Sequence, residues 1–189
     1  MQTLKKMIIR YVPCSEQEER DRAIILEALE RCPKILTREN PICHMTASAW
    51  VVNKDRTKVL MVYHNIYQSW SWCGGHADGE TDLAAVALRE AEEETGVSDL
   101  RLLSDDPISL EILTVERHVR RGEMIAPHLH FNLTFLIEAN EDAVLVVKPD
   151  ENTAVRWYAM GDAIKACSEP KMVPIYEKLN QKVWAFQLA

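Results

Sequence analysis

No stretch of this chain approaches the ~18 consecutive apolar residues of a membrane span. Its first twenty residues, MQTLKKMIIRYVPCSEQEER, carry two lysines but too short an apolar run for a secretory signal. Cys-x-x-Cys spacing is missing too: Cys14, Cys32, Cys43, Cys73 and Cys167 are odd in number and scattered, which argues against a cysteine zinc site or a redox pair. An excess of base is also lacking. With 22 basic and 29 acidic residues the net charge is −7, which leaves no overall basic surface for duplex nucleic acid or anionic lipid. Neither an internal repeat, a low-complexity segment nor a helix-turn-helix segment is evident. The expectation is a soluble, cytoplasmic protein, and 189 residues suffice for one domain with a sizeable core.

Along the chain, Ser15 followed by Gln17, Glu18 and Glu19 reads as a helix start, and Ala23, Leu26 and Leu29 keep a helical period until Pro33. This predicts a helix over 15–31 within an N-terminal helical extension, residues 1–42. From His44 the texture becomes β-rich: TASAWVV, a turn at 53–56, and KVLMVYH read as a hairpin. Further strands are expected in ISLEILTVERHV, HLHFNLTFLIEA and AVRWYAM, and a last helix over 172–185. The clearest helix is Asp82 to Thr95, rich in alanine and glutamate, free of Gly and Pro, and closed by Gly96. These elements place the main domain over 43–189, which includes the C-terminal helix.

That helix carries the chemistry. At about 100° per residue, Glu93 lies near −60° and Glu94 near +40° from Glu90, so three carboxylates share one arc. Ala84, Leu88, Ala91 and Thr95 form another arc that can pack on a sheet while the acidic one stays clear. Like charges one turn apart disfavour a helix by about a few tenths of a kcal/mol per pair, and a divalent cation would neutralise them. Oxygen-only ligands suit Mg2+, or Mn2+ as the alternative. Arg89 stands one turn before Glu93 and is placed to orient it. Gly74, Gly75 and Gly79 precede the helix in what reads as a loop, where backbone can approach a phosphate closely. A cation beside a diphosphate offsets charge on its oxygens and lowers the pKa of a bound water, whose proton a nearby glutamate can take.

The segment GGHADGETDLAAVALREAEEETGV resembles the Nudix box, G-x5-E-x7-R-E-U-x-E-E-x-G-U with U aliphatic. Gly74 and Glu80 match its opening, and Arg89, Glu90, Glu93, Glu94, Gly96 and Val97 its close. Two departures stand out: eight residues separate Glu80 from Arg89 where the pattern has seven, and Ala91 is small. The resemblance, over roughly residues 43–165, implies a Nudix-type α/β/α sandwich with a mixed sheet. It also implies a metal-dependent hydrolase acting on a diphosphate linkage in a nucleoside diphosphate derivative or similar small molecule. Glu90, Glu93 and Glu94, with Gly74, would hold the metal. Glu90, Glu93, Arg89 and Glu151, from the loop PDENTAVRW, are the catalytic candidates, Glu151 as a base from another loop.

Several residues have two readings. Glu90, Glu93 and Glu94 could be a solvated acidic face, against which the glycines and Arg89 weigh. His128, His130, Asn132 and Thr134 alternate with apolar residues, so one strand face could line the substrate pocket or present hydrogen-bonded histidines; a second metal site there lacks an evident third ligand. His76 reads as a pocket or loop residue, and Gly75 and Glu80 as substrate-side. Trp70 and Trp72 could stack on a flat group, with core packing the competing reading for at least one. The N-terminal helix could serve as a lid, a packing element or a homodimer contact. Two other functions are kept open: an isopentenyl-diphosphate isomerase-like enzyme, suggested by Cys73-Gly74-Gly75-His76, and a non-catalytic nucleotide-sensing module.

Overall fold

The computed structural model describes residues 1–120 and 122–187. Residues 2–10, considered above only as a candidate leader, form helix α1 (Gln2–Arg10), because Leu4, Met7 and Ile8 stand at i, i+3 and i+4 and are all buried. Helix α2 (Glu16–Arg31) begins where expected: the Ser15 hydroxyl accepts the Glu18 N–H at 3.2 Å, and the helix stops before Pro33.

The sheet starts with β1 (Cys43–Val52) and β2 (Lys58–His64), the expected hairpin, whose turn is held by Asn53 Oδ1 accepting the Thr57 and Lys58 N–H groups at 2.9 Å each. Short strands β3 (Ser69–Ser71) and β4 (Cys73–His76) lead into α3 (Leu83–Thr95). The chain continues as β5 (Leu100–Leu102), β6 (Ser109–Val115), β7 (His118–Arg120), β8 (Glu123–Ile125), β9 (His128–Ala139), β10 (Asn152–Ala159), α4 (Met160–Ala166) and α5 (Val173–Gln187). The single strand expected over ISLEILTVERHV is broken. Its first half pairs with β9 only as far as Val115 opposite His128, where β9 begins, and its second half pairs with β8 instead.

Along its main path the large sheet runs β10-β2-β1-β9-β5, with β3 on β2, β4 on β1 and β6 on β9. It is mixed, as expected: β1 and β9 run parallel from Cys43 opposite Leu129 to Val52 opposite Glu138, and the other pairings are antiparallel. Alternation along β1 divides the core. Met45, Ala47, Ala49 and Val51 face a cluster with Leu4, Ile8 and Ile25 from the N-terminal helices and Leu83, Val86 and Ala91 from α3. Trp50 and Val52 face a second cluster with Met160, Tyr176, Leu179 and Val183 from α4 and α5. The result is helices on both sides of a curled mixed sheet, the sandwich that the box implied, with α1 and α2 packed into the same core as the sheet.

Candidate active site

The acidic helix is fixed at both ends. Asp82 accepts the Ala85 N–H at 3.1 Å, and Gly96 adopts φ +74°, the left-handed cap that glycine allows. Its acidic arc does not stay clear of the sheet. Glu94 is 4% exposed among the packing residues, Glu90 is half-buried, and Glu93 is exposed. The packing face holds Leu83, Val86 and Ala87 as well as Ala84, Ala91 and Thr95, and this rotation brings Glu94 under the sheet.

Gly74 and Gly75 are strand residues of β4, not a loop, paired with Ser48 and Ala47 of β1. Their use is close approach rather than a special φ. A Cβ on Gly75 would sit 2.6 Å from Glu90 Oε2, and one on Gly74 would meet the Ala47 carbonyl oxygen at 2.7 Å. Gly75 is therefore the glycine that lets Glu90 lie against the strand. Counting seven residues back from Arg89 leaves Thr81, and not Glu80, at the acidic position of the box, which makes Gly75 its first glycine. The structure agrees, since Glu80 is exposed and spends Oε1 on the N–H groups of Thr81 and Asp82 at 2.6 and 2.9 Å.

Three carboxylates converge: ligand atoms of Glu90, Glu94 and Glu151 lie within 4.8 Å of one another. Burial, then the charges of Glu151 and Glu90, pushes the Glu94 carboxyl well above its usual range, and burial and Glu93 raise Glu90. Glu94 Oε2 is buried with no hydrogen-bond partner among the described residues. An orphaned carboxylate oxygen beside two further carboxylates fits a hard divalent cation. Glu93 stands just outside this group, its Oε2 held by Lys148 Nζ at 2.8 Å; Lys148 also lies 3.2 Å from Glu151. Burial alone would lower the pKa of Lys148, and its hydrogen bonds to Glu93 and Glu151 more than reverse that. Arg89 lies 3.3 Å from Glu90 and 3.9 Å from Glu93.

These groups open on a cleft of about 820 Å³. Its floor includes Asn132, whose Oδ1 accepts from Thr46 and Ser48 at 2.9 Å each and whose Nδ2 donates to Thr134 at 3.1 Å, so the polar face expected on β9 is real. His76 and His130 also line the cleft, their Nε2 atoms 3.2 Å apart, and His128 Nε2 is 3.1 Å from His130 Nε2. Burial first, then the neighbouring imidazoles, depresses His130 to about 2. Trp70 is not part of the cleft lining: it packs edge-on between Tyr63 and Tyr158, with centroids 5.5 and 5.0 Å away, while Trp72 reaches the cleft. The Cys73 thiol is fully buried beside Glu94, and burial pushes its pKa well up, which removes it from the position of an isomerase acid facing substrate. Sequence reasoning missed Lys148, a lone cation in a loop, and His44, which is buried in a strand; neither carries a local signal.

Comparison with known proteins bears on the family and the fold. The NUDIX domain pattern matches residues 44–181. A CMP-5'-(N-acetyl-N-hydroxy-3-aminopropyl)phosphonate hydrolase from Streptomyces rubellomurinus (strain ATCC 31215) is 44% identical over 54 residues, a match spanning only 26% of this chain and 26% of the relative. Among solved structures, a C. elegans Ap4A hydrolase binary complex superposes with TM-score 0.55 at 20% identity, covering 75% of this chain and 98% of that one. A NUDIX-family hydrolase from Clostridium perfringens gives 0.53 at 19%, covering 76% and 97%. These two likenesses concern the fold. With the family pattern spanning most of the sequence, the chain belongs to the NUDIX family.

Proposed function

We propose that the protein is a metal-dependent hydrolase that cleaves a diphosphate-type linkage in a nucleoside diphosphate derivative. The observation that carries this reading is the convergence of Glu90, Glu94 and Glu151 within 4.8 Å, around the orphaned Glu94 Oε2, at the wall of an open cleft. Glu90, Glu94 and Glu151 hold the cation, with Mg2+ the expected ion and Mn2+ the alternative. When bound, it offsets charge on the phosphate oxygens and lowers the pKa of water. Arg89 fixes the rotamers of Glu90 and Glu93. Glu93, anchored at Oε2 by Lys148 and outside the three-carboxylate group, keeps Oε1 free of Lys148 to take a water proton. Water adds to one phosphorus while the bridging P–O bond breaks, and solvent protonates the departing phosphate oxygen. The Asn132 amide network keeps the cleft floor rigid beneath the substrate. The short match to a hydrolase of a CMP-phosphonate supports including such mixed linkages among the substrates.

The test is a panel of nucleoside triphosphates, dinucleotide polyphosphates, sugar nucleotides, a CMP-phosphonate and isopentenyl diphosphate. Each is incubated with Mg2+ or Mn2+ against chelator, for the wild type and Glu90→Gln/Glu94→Gln. Metal-dependent release of a nucleoside monophosphate, phosphate or diphosphate by the wild type alone is the expected result. Interconversion of isopentenyl diphosphate, or binding without turnover across the panel, would overturn the reading.

A further inference from the structure

Four of the six histidines in the chain gather at one end of the cleft. His44 on β1 lies opposite His130 on the parallel strand β9, and Thr46 of β1 pairs with His76 of β4, so three strands deliver imidazoles to one face. His44 stands with ring centroids 5.0, 4.9 and 5.0 Å from His76, His128 and His130, and His130 is 4.8 and 5.0 Å from His76 and His128. A ligand nitrogen of each of His44, His76 and His130 lies within 4.8 Å of the other two. His44 supplies the third ligand that the sequence pattern on β9 left missing.

Protons on neutral rings do not account for the arrangement. The Asn40 carbonyl lies 3.2 Å from His44 Nδ1 and the Ala126 carbonyl 2.9 Å from His128 Nδ1. Each carbonyl accepts an Nδ1–H, which leaves an Nε2 lone pair turned to the cluster. His44 is 4% exposed, and its Nε2 has no hydrogen-bond partner among the described residues. His130 Nε2 lies 3.2 and 3.1 Å from two other Nε2 atoms, and one proton can serve only one such neighbour well. Two nitrogens bound tetrahedrally to one Zn2+ at about 2.05 Å stand about 3.3 Å apart, close to both separations. A backbone carbonyl holding the far ring nitrogen is the usual outer support of a metal-bound histidine. The neighbouring Arg38 guanidinium is paired with Asp78, Nε to Oδ1 at 2.9 Å, which offsets its charge.

We propose that His44, His76 and His130, with His128 in the fourth position, form a second metal site for an imidazole-preferring ion of the Zn2+ class, separate from the carboxylate site. The ion cross-links β1, β4 and β9 at the end of the cleft. Nitrogen donors make the two sites chemically distinct, the glutamates favouring hard oxygen-seeking ions and the histidines borderline ones.

The test uses the full chain freed of metal by chelator and titrated with Zn2+ by calorimetry in excess Mg2+, with Co2+ as the spectroscopic probe. The wild type and Glu90→Gln/Glu94→Gln are expected to bind one Zn2+ per chain, to show the intense visible bands of tetrahedral Co2+ without a thiolate charge-transfer band, and to melt at higher temperature with Zn2+. His76→Ala and His130→Asn, each checked for native circular dichroism, should lose at least 100-fold in affinity and the Zn2+-induced melting shift. Absence of stoichiometric Zn2+ binding, loss of binding in the glutamate variant with retention in the histidine variants, or a thiolate band would overturn the proposal.

Discussion

At the scale of single residues, Gly75 shows how a missing atom makes a site. Its strand position is ordinary, yet any side chain there collides with the Glu90 carboxylate. Gly75→Ala is therefore expected to move Glu90 and lower kcat about 100-fold, the scale set by misplacing a reacting group by about 1 Å. Steady-state kinetics beside a melting curve would check this, since near-wild-type stability with lost turnover separates displacement of Glu90 from unfolding. Glu90, Glu93, Glu94 and Arg89 were legible because their spacing on one helix turn is a local property. Glu80 and Trp70 were misplaced because what each touches, a turn's amides and two tyrosine rings, depends on how the chain folds around it.

At the scale of elements, α3 is positioned by its cap as much as by its apolar face. Gly96 combines φ +74° with a neighbour, Val146 Cβ, that an added Cβ would meet at 2.7 Å. Gly96→Ala should cost about 2 kcal/mol or more, from backbone strain plus overpacking. Urea unfolding would measure the loss, and turnover per folded molecule should change little, because the glycine touches no carboxylate of the cleft. The helix, its cap, the β1–β2 hairpin, β9 and α5 were all readable from period and breakers. Helix α1 was not, although Leu4, Met7 and Ile8 carry the pattern, because a short segment at a chain start has few turns in which to show a period. Strands β3, β4 and β5 are three or four residues long and exist by virtue of the partners beside them.

At the scale of the whole molecule, a buried charge network ties the two ends of the chain to the sheet. Glu18 of α2 is fully buried and meets Lys178 Nζ at 2.9 Å and Lys182 Nζ at 2.5 Å, both on α5, while Lys178 also meets Glu111 of β6 at 2.8 Å. Burial alone would raise the Glu18 pKa, but hydrogen bonds from Lys182, the Cys14 N–H and Lys178 outweigh it and hold it at about 2. A carboxyl depressed below its unfolded value of about 4.3 contributes stability that is complete above that value and is lost as pH falls through the folded pKa. Glu18→Gln should therefore destabilise the protein by about 3 kcal/mol at pH 7, because it leaves the largely buried Lys182 without a carboxylate and Lys178 with Glu111 alone. The gap to wild type should close as pH falls from about 5 toward 2. Urea midpoints of both proteins across that range would show it, and a gap independent of pH would contradict the role given to Glu18.

The sequence by itself determined the alternation of strands and helices, the acidic helix with its cap, and the family resemblance, because period, capping and the spacing of glutamates on one turn act between residues close in the chain. Only the tertiary structure decided that Glu94 is buried, that Glu151 joins Glu90 and Glu94 across more than fifty residues, that Lys148 braces Glu93, and that His44 meets His76 and His130. Those meetings depend on the parallel register of β1 with β9 and the seating of β4 on β1, pairings between distant segments that no local pattern encodes.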